Sequence, residues 1–465
     1  MRLVRQAVVV LFLAVTVQFL PARTPRYSMD EAVATALETN PDVTIARKKV
    51  EAAKGGVIQA RSGLLPSVVS TGLFRERQHQ KESRLRNEDY SANVRIIQNL
   101  YTGGAVTSQR AIARLNLEKQ ELELKAVSDR VAMDVRIAYN ELLLNQARVR
   151  VHEQSRDVFE KELKTQQERF TAGLVGQLNV HRAEVALANE KTQVIDAQTQ
   201  VNSSYLRLGE LLGQKNDLKS TTPSLAVYGQ LQYTATRPDL NQCLGRADTA
   251  RPEIQMRRID VEIETWQENL DRSEQRPQVE AFSGYEVYNE RDPAIGDEFN
   301  HGYVIGVNAR WHIFDGYATR GKVIATRARR EAAEQALAAA RSSVSSDVRN
   351  AFLDLQQADR MLEAQTKSVQ TADESLEIAK ANVEAGLSTQ LDVLQAASDV
   401  TGTRTTRLNG IYLHNVALAK LARACATSPD ALGFGAQRQA KAEADASGRP
   451  DAAGMARPPN KLSQR

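Results

Sequence analysis

The sequence predicts a mainly α-helical fold with a membrane β-barrel portion, in which long antiparallel helical hairpins carry short pairs of strands. Three observations predict it: one pattern written twice, helices of about 67 residues without a breaker, and short runs alternating apolar and polar side chains. The composition agrees. Hydrophobic residues make up 42% of the 465, only 5% are aromatic and 13 are Pro, a balance suited to extended helices more than to a β-rich globule.

The repeat comes first, because a missed repeat misreads a whole fold. Asn40-Pro41-Asp42 matches Arg251-Pro252-Glu253, and Leu65-Pro66-Ser67 matches Arg276-Pro277-Gln278, each at a separation of 211 residues. Leu100-Tyr101-Thr102-Gly103 matches Ile313-Phe314-Asp315-Gly316, and Ala172-Gly173-Leu174 matches Ala385-Gly386-Leu387, both 213 apart. Between these, Asp134–Tyr139 lines up with Asp347–Phe352 at 213 as well. The register therefore shifts once, between Pro66 and Gly103, and then holds over a whole long helix. That is a duplication.

Each half reads in the same order: short helix, medium helix after a Pro, two strands, very long helix, Gly turn, last helix. The first repeat is placed at 23–213, with strands near 64–75 and 91–101, a long helix over 103–170, a tip turn at 171–176 and a helix over 178–212. A Thr-, Gly- and Pro-containing connector fills 214–240. The second repeat is placed at 241–425, with strands near 278–288 and 302–314, a long helix over 316–383, a tip turn at 384–389 and a helix over 391–424. Helices of this length reach roughly 100 Å, more than any globular domain needs. Val131, Val135, Ala138 and Leu142, with Val344, Val348, Ala351 and Leu355, recur every three or four residues as a narrow, coiled-coil-like stripe.

The strands alternate with period two. Ala92, Val94 and Ile96 share one face and Asn93, Arg95 and Asn99 the other; Ile305, Val307, Ala309, Trp311 and Ile313 stand opposite Asn308, Arg310 and His312. A half-buried soluble sheet and a membrane strand give the same alternation. Strand count bears on the choice, since about eight strands is the lower limit for a barrel and lipid tolerates no open sheet edge. A membrane reading thus requires several chains to share one barrel, with polar stretches 75–89 and 289–301 as its external loops.

The ends and the rarer residues bound the function. Ala7 to Leu20, behind Arg2 and Arg5, has the charged start and short apolar middle of a secretory signal, placed at 1–22. The stretch 426–465 is Ala-, Arg- and Pro-rich without apolar period and is expected to be a disordered tail. Lys and Arg number 61 against 57 Asp and Glu, an excess too small to argue for nucleic acid. Cys243 and Cys425 are the only cysteines, and in an oxidising compartment they either pair as a disulfide or stay as two buried thiols. The six His show no metal-binding spacing. Gly316–Val323 falls one residue short of a phosphate-binding loop, because Val323 stands where Ser or Thr would hold the cation. No catalytic constellation is present, so neither an enzyme nor a cofactor is expected.

Taken in order, these features resemble the outer-membrane efflux protein (TolC) family over residues 29 to 425. The likeness is carried by Gln98–Gly104, Trp311–Gly316, Arg169–Val175 and Val383–Val393. The resemblance implies a homotrimer whose twelve strands close one barrel in outer-membrane lipid, above a helical tunnel that crosses the periplasm. It implies an exit duct fed by a periplasmic adaptor protein and an inner-membrane pump, or by an ABC exporter in type I protein secretion. The tips Gly173, Leu174, Gly386 and Leu387 would meet the adaptor, unless the leucines simply pack on their own hairpin. Asp392 would stand in an acidic ring at the periplasmic constriction, with Asn179 as its first-repeat counterpart and Gln395 where the family carries a second acid. Its other reading is a carboxylate favoured by the helix N-terminus. Ser388 and Val383 occupy positions where some members carry a gating Arg and Tyr. A soluble periplasmic coiled-coil scaffold is the alternative from another class.

Overall fold

The computed structural model describes residues 26–76, 87–214, 225–290, 292, 294–296 and 298–428. The expected signal segment lies outside them, as do residues 77–86 of the first strand loop, 215–224 of the connector and 429–465 of the tail. In chain order the elements are β1 (Arg26–Tyr27), α1 (Met29–Thr39), α2 (Pro41–Ser62), β2 (Ser67–Glu76), β3 (Glu88–Tyr101), α3 (Ala105–Thr171) and α4 (Gln177–Leu211). There follow β4 (Ala226–Val227), α5 (Leu240–Ala250), α6 (Pro252–Ser273), β5 (Gln278–Asn289), β6 (Phe299–Arg310), α7 (Ala318–Glu384) and α8 (Gln390–Ala424). The helices pair off at 11, 22, 67 and 35 residues in both halves. No helix among the described residues is long and apolar enough to cross a membrane.

Local chemistry starts these helices. Ser28 opens α1 with a reciprocal capping box, its backbone N–H donating to Glu31 Oε2 at 2.8 Å and its hydroxyl accepting from the Glu31 N–H at 3.3 Å. Pro41 and Pro252 sit in the first turns of α2 and α6, where a missing N–H costs no bond.

Packing then follows the apolar stripes. Val131, Val135, Ala138 and Leu142 of α3 are buried in one core with Ala32, Ala36, Val201, Leu208 and Leu212. Val344, Val348, Ala351 and Leu355 of α7 are buried in a second, with Ala247, Leu421 and Cys425. Each long helix runs against the last helix of its own half, and α3 also packs on α6 and α8, which joins the halves. Phe159, Leu187, Leu394 and Ala397 form a smaller third cluster nearer the tips. The connector is tied down by His414, fully buried, whose Nδ1 lies 2.8 Å from Asp359 Oδ1 while Nε2 donates to the Thr234 carbonyl at 3.1 Å. Below the sheet, Glu268 accepts from Arg327 and Arg330 at 2.9 Å each and from Arg272 at 2.5 Å. The Arg327 hydrogen bond above all holds its carboxyl below the usual carboxylate range.

The four long strands form a single antiparallel sheet in the order β2-β3-β5-β6, so the two halves meet at β3 and β5. β1 and β4 make a separate short parallel pair, over which the Tyr139 hydroxyl donates to the Tyr27 carbonyl at 3.1 Å and to that of Tyr228. Two strand expectations need correction. The first strand starts at Ser67, because Leu64 and Leu65 hydrogen-bond back to Arg61 and Ser62 as the end of the α2 turn. The last strand spans Phe299–Arg310, not 302–314, since the ladder with β5 begins at Gln278↔Arg310 and offers Trp311–Phe314 no partner. Alternation continues there, but hydrogen bonding does not. Cys243 and Cys425 stand as free thiols, both buried in the second core.

Candidate functional site at the sheet and the helix tips

The sheet shelters nothing. Among the described residues, none of the buried ones lies in β2, β3, β5 or β6. A soluble sheet hides its apolar face and wets its polar one, yet here the exposure is inverted. In β6, Tyr303, Ile305 and Val307 are 86%, 74% and 64% exposed, while the intervening Gly302, Val304 and Gly306 are half-buried. In β3, Tyr90, Val94 and Ile96 are exposed and Ser91, Asn93 and Arg95 half-buried. Pairing carries this face across the strands, as in Val94↔Tyr285↔Tyr303 and Ile96↔Ser283↔Ile305.

The polar face is tied to itself. Thr71 Oγ1 donates to Asn93 Oδ1 at 2.8 Å, Arg95 Nη2 to Glu286 Oε2 at 3.2 Å, and Asn308 Nδ2 to Glu280 Oε1 at 3.0 Å. Gly306 leaves room on that face for the Phe282 ring, which a Cβ would approach to 2.7 Å. Exposed rings mark both ends of the sheet: Phe74, Tyr90 and Phe299 at the loop end, Trp311 and Phe314 where the chain enters α7. The outer strands β2 and β6 each pair on one side only.

At the other end of the molecule the two hairpins turn identically. Gly173 and Gly386 both have φ of 74°, the left-handed region that costs other residues energy. Around the first, Leu174 N–H donates to Arg169 O and Gly173 N–H to Phe170 O, both at 2.9 Å. Around the second, Leu387 N–H donates to Asn382 O at 2.8 Å and Gly386 N–H to Val383 O at 3.3 Å. These are paired Schellman bonds, and they need the left-handed residue. A Cβ on either glycine would meet nothing within 4 Å, so the demand is conformational and not spatial. Leu174 and Leu387 are 74% and 79% exposed, among the most open leucines of the chain.

Asp392 and Asn179 are each the third residue of their helix, α8 and α4. Asp392 is exposed and closes a capping box with Thr389, accepting from its N–H at 2.7 Å and its hydroxyl at 2.8 Å. The Thr389 N–H, then its hydroxyl, holds the Asp392 carboxyl below the usual carboxylate range. Asn179 is half-buried, its N–H donating to Gly176 O at 3.0 Å. Gln395 Nε2 donates to Asp399 Oδ1 at 3.0 Å. Asp399, exposed and two turns beyond Asp392 on the same helix face, was not singled out from the sequence; its spacing of seven from Asp392 was the available signal. Among the described residues, no group of three or more His, Cys, Asp or Glu is set to hold a metal ion.

Comparison with known proteins adds relatives to this geometry. The family described as "Outer membrane efflux protein" matches residues 32–214 and 243–427. The outer membrane protein TolC of Vibrio cholerae is 24% identical over 401 residues, covering 84% of this chain and 89% of that protein. Protein CyaE of Bordetella pertussis is 25% identical over 401 residues, covering 85% and 83%. Among solved structures, the Campylobacter jejuni CmeC outer membrane channel superposes with a TM-score of 0.73 at 16% identity, covering 85% of each chain. The chain belongs to the outer membrane efflux protein family, whose members are passive exit ducts residing in the outer membrane with their helical part in the periplasm.

Proposed function

We propose that three copies of this chain close one twelve-stranded barrel, β6 of each pairing with β2 of the next, above a tunnel built from the helical hairpins. The observation that carries this is the inverted sheet: an apolar face fully open, a polar face bonded to itself, and two unpaired edges. In water each feature is unfavourable. In lipid, with the edges joined, each is required. The rings at the two ends of the sheet fit the aromatic girdles of such a barrel, and a soluble scaffold leaves the open apolar face without a reason.

The helical tips then lie far into the periplasm, on the side of the inner-membrane machinery. Leu174 and Leu387, held outward by their glycine turns, suit an apolar contact with a helical adaptor, which joins the duct to an inner-membrane transporter. The duct itself does no chemistry and needs no cofactor. Energy enters through that partner. Asp392 repeats three times at one level in a trimer, with Asp399 two turns further, so the periplasmic mouth carries rings of carboxylates that favour cations.

Single-channel recording of the purified trimer in a planar bilayer tests this reading. A cation-preferring pore blocked by a trivalent cation from the periplasmic side is expected. Asp392→Asn should cut both the preference and the block several-fold. Asn keeps a side-chain oxygen for the Thr389 N–H, so the cap survives and the charge alone is removed. Absence of any pore would overturn the duct, and unchanged selectivity in Asp392→Asn would remove this residue from the constriction.

A further inference from the structure

Cys243 and Cys425 are the only cysteines in the chain and stand 182 residues apart. The fold nevertheless brings them together. Cys243 lies in α5 and Cys425 caps the C-terminal end of α8; they are 4% and 0% exposed within one apolar cluster, and their thiols share a hydrogen bond. Arg251, directly after α5, donates to the Ala424 carbonyl at 3.3 Å and holds the same two chain segments against each other.

The first repeat shows what this contact looks like without sulfur. The residues equivalent to Cys243 and Cys425 are Ala32 and Leu212, 0% and 1% exposed in the first core. The backbone clamp is also present there, with Asn40 Nδ2 donating to the Leu211 carbonyl at 2.9 Å. One contact, duplicated, is therefore hydrocarbon against hydrocarbon in one copy and thiol against thiol in the other. Packing alone asks for no such double exchange. Two cysteines placed at both members of a single contact, in a chain that has no others, are what a covalent bond requires.

We propose that Cys243 and Cys425 are joined by a disulfide in the mature protein, a staple closing the second repeat. The structure holds the reduced pair. Exposure of this half of the chain to the periplasm supplies the setting in which disulfides form and persist. The oxidant is a periplasmic protein of the dithiol–disulfide class. One cysteine thiolate attacks its disulfide, giving a mixed disulfide and releasing one oxidant thiolate. The other cysteine thiolate then attacks the mixed bond, forming Cys243–Cys425 and releasing the second oxidant sulfur. Two electrons and the two cysteine protons end on the oxidant, which leaves as a dithiol. Because both sulfurs are enclosed once α5 and α8 have met, the reaction belongs to folding. The finished bond is then shielded from reductants. It covalently ties the start of the second repeat to its end, a loop long enough to restrict the unfolded chain strongly.

Thiol counting on the protein extracted from outer membranes tests the proposal. Denatured without reductant and treated with a polyethylene-glycol maleimide, the chain should take up no label. After reduction it should take up two, and the reduced chain should migrate more slowly than the unreduced monomer. A strain lacking the periplasmic oxidant should yield chain that takes two labels without reduction. The paired change Cys243→Ala with Cys425→Leu restores the first-repeat contact, and its trimers should lose any dependence of heat resistance on prior reduction during folding. Two labels on the unreduced wild-type chain would overturn the staple, as would disulfide-linked dimers in place of an internal bond.

Discussion

Ile305→Lys is expected to abolish accumulation of the protein as an outer-membrane trimer, while Asn308→Lys, three residues along the same strand, leaves it nearly intact. The two positions share β6 and differ in face. Ile305 is on the open apolar side near the middle of the strand, and Asn308 faces Glu280 on the polar side. A cation on the lipid face of a barrel costs roughly 2–4 kcal/mol near the bilayer midplane. Each 1.4 kcal/mol is about tenfold in equilibrium, so one site alone gives about thirtyfold or more, and a trimer contains three. Lys at 308 instead gains an ion pair with Glu280 inside a wet lumen. Quantitative immunoblots of separated membranes, with and without heating, read the difference. Equal loss in both variants would mean that the faces are assigned wrongly or that β6 tolerates no lysine at all.

Gly386→Val should break docking of a periplasmic adaptor while trimers still form. At φ of 74° a β-branched side chain is strained by about 1–3 kcal/mol, enough to drive the turn into another conformation and to release the bonds from Leu387 to Asn382 and from Gly386 to Val383. Leu387 is then no longer presented outward. Gly386→Asn is the control, because Asn enters the left-handed region with little penalty and the site is open enough for its side chain. Crosslinking of adaptor to trimer in cells should fall at least tenfold for Val and change little for Asn. Normal crosslinking in Gly386→Val would place the docking surface elsewhere. The turn lies at the far end of α7 from the sheet, so barrel assembly does not depend on it.

Much of this architecture was legible before any coordinates, for identifiable reasons. The long helices could be read because Val131, Val135, Ala138 and Leu142, and their partners 213 residues on, keep helical spacing without a breaker, and all eight are buried. The tip turns could be read because Gly173 and Gly386 interrupt two otherwise breaker-free stretches. Strand ends were less legible. Alternation runs through Trp311 and Ile313, but a strand ends where its neighbour ends, and β5 offers nothing beyond Gln278. Alternation also names two faces without saying which one is wet; only the inverted exposure of Ile305 and its neighbours does that. Two backbone features escaped residue-type reasoning altogether. Tyr317 and Ala426 take the left-handed conformation with φ of 67° and 51°, where the first repeat has Gly104 and Gly213. Aligning the halves at 213 would have exposed both. Asp399 escaped because it belongs to no motif and declares itself only through the Gln395 bond and its spacing from Asp392.

The claim on which all this rests is that β2 and β6 of different chains are neighbours. Within one chain they are separated by β3 and β5, about 14 Å apart at ~4.8 Å per strand, far beyond the reach of a disulfide. A panel joining Val68→Cys in β2 to Tyr303→Cys, Ile305→Cys or Val307→Cys in β6, all on the apolar face and in a Cys243→Ala, Cys425→Leu background, measures it directly. Oxidation of outer membranes should link at least one pair into covalent dimers and trimers that reduction dissolves. Membrane-inserted protein that stays monomeric on denaturing gels across the whole panel would contradict the shared barrel.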